Sequence, residues 1–139
     1  MDGWPQMSDA VVDYYYEKKL AYDYIKRSSK PFMIMIDEFE AWRNNVIIAN
    51  STLTDISGSV RVRDVDSDNI LFEKDFTAKA NSNTTVGGIE IRCSNKGMFF
   101  IEWILDNGER GFNTYLYGTP PYRLDDYKRY LDEIKKAEG

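Results

Sequence analysis

From residue 32 onward, apolar and polar residues alternate in a series of short runs. A period of two is that of a β-strand with one buried face, because successive side chains of a strand point to opposite sides of the sheet. The runs span residues 32–37, 46–48, 60–63, 70–77 and 89–94, and clusters rich in Asn, Asp, Ser and Gly separate them. Short strands at near-regular spacing with such turns predict an antiparallel sandwich or barrel.

The segment FFIEWILDNGERGFNTYLYG, residues 99–118, predicts two further strands joined by a tight turn. Asn107-Gly108 is the preferred pair for a two-residue type I′ turn, in which both positions have a positive φ. That turn pairs Trp103 with Phe112 and gathers one apolar face, which consists of Phe99, Ile101, Trp103, Phe112 and Leu116. About seven strands result, enough for two packed sheets with an immunoglobulin-like arrangement.

Helical spacing occurs at both ends of the chain. Leu20 and Tyr24 are four residues apart within residues 16–29, and Pro31 ends this predicted helix because the residue before a proline is pushed out of the α region. A second apolar stripe of helical period follows residue 123 and contains Leu124, Tyr127, Tyr130 or Leu131, and Ile134. The predicted fold class is therefore mainly β: an immunoglobulin-like antiparallel β-sandwich of about seven strands, with an N-terminal helical segment and a C-terminal helix.

Charge and residue usage narrow the classes of function. The net charge is −5 and the 18 basic residues are scattered, so a nucleic acid or an anionic membrane surface is a disfavoured partner. No apolar run approaches the roughly 20 residues of a membrane span. The sequence contains no histidine, the usual general base and the commonest zinc ligand. The single cysteine, Cys93, alternates in phase with Ile89 and Ile91, which predicts a small core residue more than a reactive thiol.

The stretch DVDSDNILFEKD, residues 64–75, has two interpretations. Asp64, Asp66 and Asp68 occupy the first, third and fifth places of a calcium-binding loop, which spaces oxygen ligands around a hard cation. That loop requires glycine at the sixth place and a bidentate glutamate at the twelfth, where this chain has Asn69 and Asp75. The flanking residues also have strand patterns. A hairpin turn rich in Asp and Asn is therefore the favoured prediction, with calcium as the alternative.

Acidic side chains near the first strand raise the possibility of paired carboxylates for acid-base hydrolysis. Asp37, Glu38 and Glu40 form one cluster, and Glu102 lies between two apolar strand residues, pointing away from the face that carries Trp103. Acidic residues are common at strand ends and on solvent-facing positions, so these residues are predicted to be structural.

The TVGGIE stretch, without the spacing of a phosphate-binding loop, predicts a bulge or a loop entry. No catalytic residue, metal ligand or cofactor site is predicted in this chain.

Aromatic residues are concentrated in the first 24 positions. Trp4, Tyr14-Tyr15-Tyr16, Tyr22 and Tyr24 are suited to stacking on sugar rings or to docking against another packed surface. Docking is favoured because the rings are not confined to one strand face.

The segment DGWPQMSDAVVDYY, together with EKKLAYDYIKRSSKPF, resembles the end of the catalytic (β/α)₈ barrel in family 2 glycoside hydrolases, most of all on the β-mannosidase and exo-β-glucosaminidase side. There an Asn-Asp-x-Trp-Pro stretch, an apolar run ending Asp-Tyr-Tyr, a Lys-Pro-Ala-Tyr-Tyr-x-x-Lys-Arg helix and a proline follow one another. Leu20 stands where that family has a proline and Gly3 where it often has a cysteine. The matching residues are Asp2, Trp4, Pro5, Ser8, Val12, Asp13, Tyr14, Tyr15, Lys19, Ala21, Tyr22, Lys26, Arg27 and Pro31.

The resemblance implies two parts. Residues 1–30 would be the remnant of the last strand and helix of the barrel, and residues 31–139 an immunoglobulin-like sandwich with its C-terminal helix. In this family hydrolysis proceeds with retention and uses two glutamates, which lie on earlier barrel strands and match no position here. Trp4 alone carries over as a substrate-binding residue, because the ends of barrel strands line the active site.

The resulting expectation is a non-catalytic C-terminal domain that braces the barrel of a glycosidase acting on β-linked sugars. Its partners would be the rest of that enzyme and, through it, an oligosaccharide; this chain alone would be inactive. The alternative is a carbohydrate-binding module that uses exposed aromatic residues, and a third possibility is an adhesive cell-surface sandwich. The sugar, the linkage and the cellular compartment stay open.

Overall fold

The computed structural model describes residues 10–38, 42–91 and 95–139. These residues form two helices and seven strands. In chain order the elements are α1 (Leu20–Ser28), β1 (Phe32–Ile36), β2 (Arg43–Asn50), β3 (Ile56–Asp64), β4 (Ile70–Ala78), β5 (Ser82–Glu90), β6 (Gly97–Leu105), β7 (Arg110–Tyr117) and α2 (Leu124–Glu138). The chain divides into two compact units between Pro31 and Phe32.

The described part of the first unit is a tight turn followed by a helix. The carboxylate of Asp13 accepts hydrogen bonds from the backbone N–H groups of Tyr15 and Glu17, both at 2.8 Å. Tyr16 lies in the left-handed region with φ 68°, so the helix predicted over residues 16–29 cannot begin there. It begins at Leu20 instead and ends at Ser28, three residues before Pro31.

The second unit is an antiparallel sandwich of two sheets. One sheet has three strands in the order β1-β2-β5, and the other has four in the order β4-β3-β6-β7. The third and sixth strands are neighbours, as the Greek-key connections of an immunoglobulin-like fold require. The predicted fold class is confirmed.

The core lies between the two sheets and follows the predicted alternation. In β3, Val60 and Val62 are buried, whereas Arg61 and Arg63 point to the outer side. Strand β1 departs from the pattern because Met33 also joins the core cluster. The largest fully buried aliphatic side chains are Ile34, Val46, Ile48, Val60, Val62 and Ile101.

The turn between β6 and β7 differs from the prediction by one residue. The backbone N–H of Leu105 donates to the carbonyl of Glu109 and that of Gly108 to the carbonyl of Leu105, both at 2.8 Å. The loop therefore has three residues, with Gly108 at φ 86° as its left-handed position, and the predicted two-residue type I′ turn is wrong. Trp103 pairs with Gly111, not with Phe112.

This shift exchanges the two faces of β7. Phe99, Ile101 and Trp103 lie in the core as predicted, but Tyr115 and Tyr117 accompany them there. Phe112 lies on the opposite face, stacked on Phe100, and Leu116 is exposed; both were predicted for the core face. A one-residue change of register moves each side chain of a strand to the other side.

The TVGGIE stretch contains a β-bulge. Of the two predicted alternatives, a bulge or a loop entry, the bulge is confirmed. Val46 pairs with Gly87 and Ile47 with Thr85, so Val86 is the extra residue of β5. At Gly87 a Cβ would lie 2.3 Å from the ring of Phe72 in the other sheet. A glycine here lets the two sheets approach closely.

Helix α2 packs against the outer face of the four-stranded sheet. Tyr130 and Ile134 are buried, with Tyr127 and Leu131 beside them, against Val65, Met98 and Phe100. This is the predicted apolar stripe, except that Leu124 at its start is exposed. Within the described residues, neither helix is long and apolar enough to span a membrane.

Candidate functional site

The outer face of the four-stranded sheet is covered by α2 over part of its area only. The helix covers the row that contains Phe100, and Phe112 of the next row packs against the same cluster. Two further rows of directly paired residues lie next to this one, near Ala137 in the last turn of the helix. Each row crosses all four strands. The first is Glu73–Arg61–Glu102–Phe112 and the second is Asp75–Ser59–Ile104–Arg110.

Seven of these eight residues, all but Asp75, line an open pocket of about 410 Å³. Its volume lies in the range of small-molecule sites, roughly 300–1,000 Å³. Ala137 of α2 forms one wall. The side chains that give the pocket its chemistry are Arg61, Glu73, Glu102, Ile104, Arg110 and Phe112. This concave site combines charged groups with an aromatic ring.

An ion pair at the surface joins two of the four charged groups of the pocket. The Nη2 atom of Arg61 lies 2.8 Å from Oε1 of Glu73, and its Nε lies 3.3 Å from the same oxygen. The hydrogen bond to Glu73 raises the pKa of the Arg61 guanidinium above its ordinary value, and the charges of Glu73 and Glu102 add to this effect. With Arg110, the pocket therefore has two cationic and two anionic groups, which balance.

The aromatic side of the pocket rests on the neighbouring covered row. The rings of Phe112 and Phe100 are stacked, with centroids 5.2 Å apart and planes 7° apart. On the core side of the sheet, the indole of Trp103 packs against the backbone of Gly111. A Cβ atom added at residue 111 would lie 2.5 Å from this ring. Glycine at this position leaves room for the indole beneath the strand.

The three aspartates of the predicted calcium alternative have separate protein partners. Asp64 accepts hydrogen bonds from the hydroxyl and the backbone N–H of Ser67 within the turn between β3 and β4. Asp68 forms an ion pair with Arg63 at 2.9 Å. Among the described residues, no group of three or more acidic or cysteine side chains is arranged to hold a metal ion. The hairpin-turn prediction is confirmed.

Asp66 fastens this turn to α2. Its carboxylate accepts hydrogen bonds from Arg129 and from the hydroxyl of Tyr130, the latter at 2.7 Å. Burial, followed by the hydrogen bond and charge of Asp66, raises the pKa of Tyr130. Burial, with the charges of Asp64 and Asp66, raises the pKa of Tyr117 to about 12. These groups form a structural clamp between turn and helix.

The acidic cluster near β1 also has a structural arrangement. Oδ1 and Oδ2 of Asp37 accept hydrogen bonds from the backbone N–H and the side-chain amide of Asn45, at 2.5 and 2.8 Å. Glu38 is exposed, and Glu40 lies outside the described residues. Glu102 points away from the core face that carries Trp103, as predicted, and lines the pocket.

Two further predicted positions cannot be placed. Trp4, the predicted substrate-binding residue, and Cys93, the predicted core residue, both lie outside the described residues. The three adjacent tyrosines lie on the turn that precedes α1 and are exposed, Tyr15 at 71% and Tyr16 at 76%.

The pocket itself was not predicted from the sequence. Arg61 in VRVR and Glu102 in FIEWI each stand between two buried residues, which indicates a solvent-facing position and nothing more. The positive and negative charges meet only because β3 pairs with both β4 and β6. Cross-strand pairs of opposite charge would have been a signal if the register had been known.

Comparison of this chain with models of known protein families gave no match. Comparison with curated proteins gave no significant match.

Proposed function

We propose that this chain is the C-terminal portion of a family 2 type glycosidase, in which the sandwich of residues 32–139 is a non-catalytic domain that braces the catalytic barrel. The barrel supplies both glutamates of the retaining mechanism. The sandwich supplies a rigid surface for it to pack against.

The order of the two parts along the chain carries the proposal. A segment that resembles the end of the family's barrel, from Asp2 to Pro31, precedes an immunoglobulin-like sandwich. In that family such sandwiches follow the barrel. A sandwich with its own hydrophobic core can support a barrel mechanically, and this role requires no catalytic residues.

The carboxylates of the sandwich support a non-catalytic role. Asp37 is held by Asn45, Asp66 by Arg129 and Tyr130, and Glu73 by Arg61. In a glycosidase the general acid donates its proton to the oxygen of the scissile bond. These side chains are instead engaged in hydrogen bonds and ion pairs that stabilise turns and strands.

The test is made on the full-length enzyme encoded by the gene that contains this sequence. We expect a (β/α)₈ barrel with two glutamates ahead of residue 1, and hydrolysis of aryl β-glycosides by the full-length enzyme but not by residues 1–139. Deleting residues 32–139 should shorten the half-life of activity at elevated temperature severalfold, because the barrel loses its brace. Leu53→Ser, at a fully exposed loop position, is the control and should leave the half-life unchanged. A coding region without a barrel, or turnover by residues 1–139 alone, would refute the proposal.

A carbohydrate-binding module is the second candidate, and the exposed tyrosine turn favours it. The rings of Tyr14 and Tyr15 meet edge to face, with centroids 5.4 Å apart, beside the more exposed Tyr16. Exposed aromatic rings can stack on the apolar faces of sugars. A saturable titration with manno- or glucosamine-type oligosaccharides that is lost in Tyr15→Ala would favour this candidate.

A further inference from the structure

We propose that the pocket at the C-terminal end of α2 is a binding subsite for a neutral oligosaccharide. The inference rests on the proposed function for the class of ligand, since it makes this chain part of an enzyme that acts on sugars. The site itself is argued from the chemistry of its side chains.

The balance of charge in the pocket selects against ionic ligands. Two guanidinium groups, of Arg61 and Arg110, face two carboxylates, of Glu73 and Glu102. The guanidinium groups would attract an anion, but the carboxylates would repel it. A cation would be attracted by the carboxylates and repelled by the guanidinium groups. A neutral ligand that both donates and accepts hydrogen bonds suits all four groups.

A sugar has this combination of groups. Its hydroxyls donate to carboxylates and accept from guanidinium groups, and hydrogen bonds to charged partners are about twice as strong as those between neutral groups. The C–H face of the ring needs an apolar platform, which Phe112 and Ile104 supply at the β7 side of the pocket. Apolar lining with a few placed polar groups is the usual composition of a small-molecule site.

The pocket is also preorganised. Its side chains come from paired positions on β3, β4, β6 and β7, so their spacing is set by the sheet. Glu73 holds the Arg61 guanidinium at 2.8 Å, and Phe100 supports the ring of Phe112 by stacking. Groups that are already in position lose little freedom on binding, and this favours affinity.

The experiment is an NMR titration of the isotope-labelled chain, residues 1–139, with neutral β-1,4-linked tetraoses of mannose, glucose and galactose. We expect at least one tetraose to shift the backbone amides of residues 61, 73, 102, 104 and 110–112 with saturation. Glu102→Gln and, separately, Phe112→Leu should each weaken that binding by about tenfold, the loss expected for one strong contact. Glu90→Gln, an exposed glutamate on β5 of the other sheet, is the matched control and should bind as the unchanged chain does.

The spectrum of each variant without ligand keeps the result interpretable, because a chain that fails to fold loses its dispersed amide signals. Absence of saturable shifts for all three tetraoses overturns the subsite. So does saturation confined to residues 10–19, or binding that Glu102→Gln and Phe112→Leu leave intact. Any of these results leaves the bracing function standing if the full-length enzyme loses half-life on deletion. Binding at the pocket in a gene product that has no barrel would instead support the subsite and refute the proposed function.

Discussion

At the scale of the residue, Tyr117 contacts both the hydrophobic core and the aspartates of the turn between β3 and β4. Its ring stacks on Phe99 with centroids 4.2 Å apart, and its hydroxyl lies 3.4 Å from Oδ1 of Asp64, a long hydrogen bond. Burial first, and then the nearby charges of Asp64 and Asp66, raise its pKa to about 12, against an ordinary value of about 10. The phenol therefore stays neutral up to a higher pH in the folded protein than in the unfolded chain.

The raised pKa predicts a loss of stability at high pH. Between pH 10 and about 12 the unfolded chain releases the phenolic proton while the folded protein retains it, so the free energy of unfolding falls as pH rises. Tyr117→Phe should make that fall smaller, and at pH 7 it should change the free energy of unfolding by less than about 1 kcal/mol. Urea denaturation between pH 7 and pH 11.5 measures both. An unchanged slope above pH 10 would contradict the assignment.

At the scale of the element, the β6–β7 hairpin shows how a turn sets the faces of a strand. A two-residue turn and a three-residue turn are both compatible with the letters DNGE, because Asn and Gly both tolerate positive φ. Within residues 111–117, aromatic side chains occur on both faces of the strand. Phe112 points to one face, and Tyr115 and Tyr117 point to the other. The local pattern therefore permits either register, and the packing of Tyr115 and Tyr117 in the core decides between them.

The observed loop predicts unequal costs at its two central residues. Gly108→Ala should lower the free energy of unfolding by about 1–2 kcal/mol, because alanine is strained at φ 86° although its Cβ would meet no other atom within 4 Å. Asn107→Ala should cost about 0.5 kcal/mol, for the exposed hydrogen bond from the N–H of Glu109 to its Oδ1. Equal losses in urea denaturation would indicate the type I′ turn and would refute the three-residue loop.

At the scale of the whole molecule, the sandwich contains its own hydrophobic clusters. Each residue of the cluster between the sheets, and of the cluster under α2, lies within residues 32–139. Enclosed clusters of this kind supply the main favourable free energy of folding.

We therefore expect residues 32–139 to fold without the first unit. A chain that begins at Phe32 should retain one cooperative thermal transition and the dispersed amide signals of the sandwich. Circular dichroism and NMR of the shortened chain measure these properties. Loss of the cooperative transition would show that the first 31 residues contribute to the core.

The sequence alone determined the class of fold, most of the strands and the apolar stripe of α2, but not β5, which spans Ser82–Glu90 where a turn at 81–83 and a strand from residue 89 were predicted. Each of these follows from a local period, since Val60 and Val62 face inward whichever strands lie beside them. The tertiary structure alone decided the register of β7, the face on which α2 packs and the charged pocket that α2 leaves uncovered. Those features depend on which strands pair and at what offset, and such contacts between distant residues leave no period in the sequence.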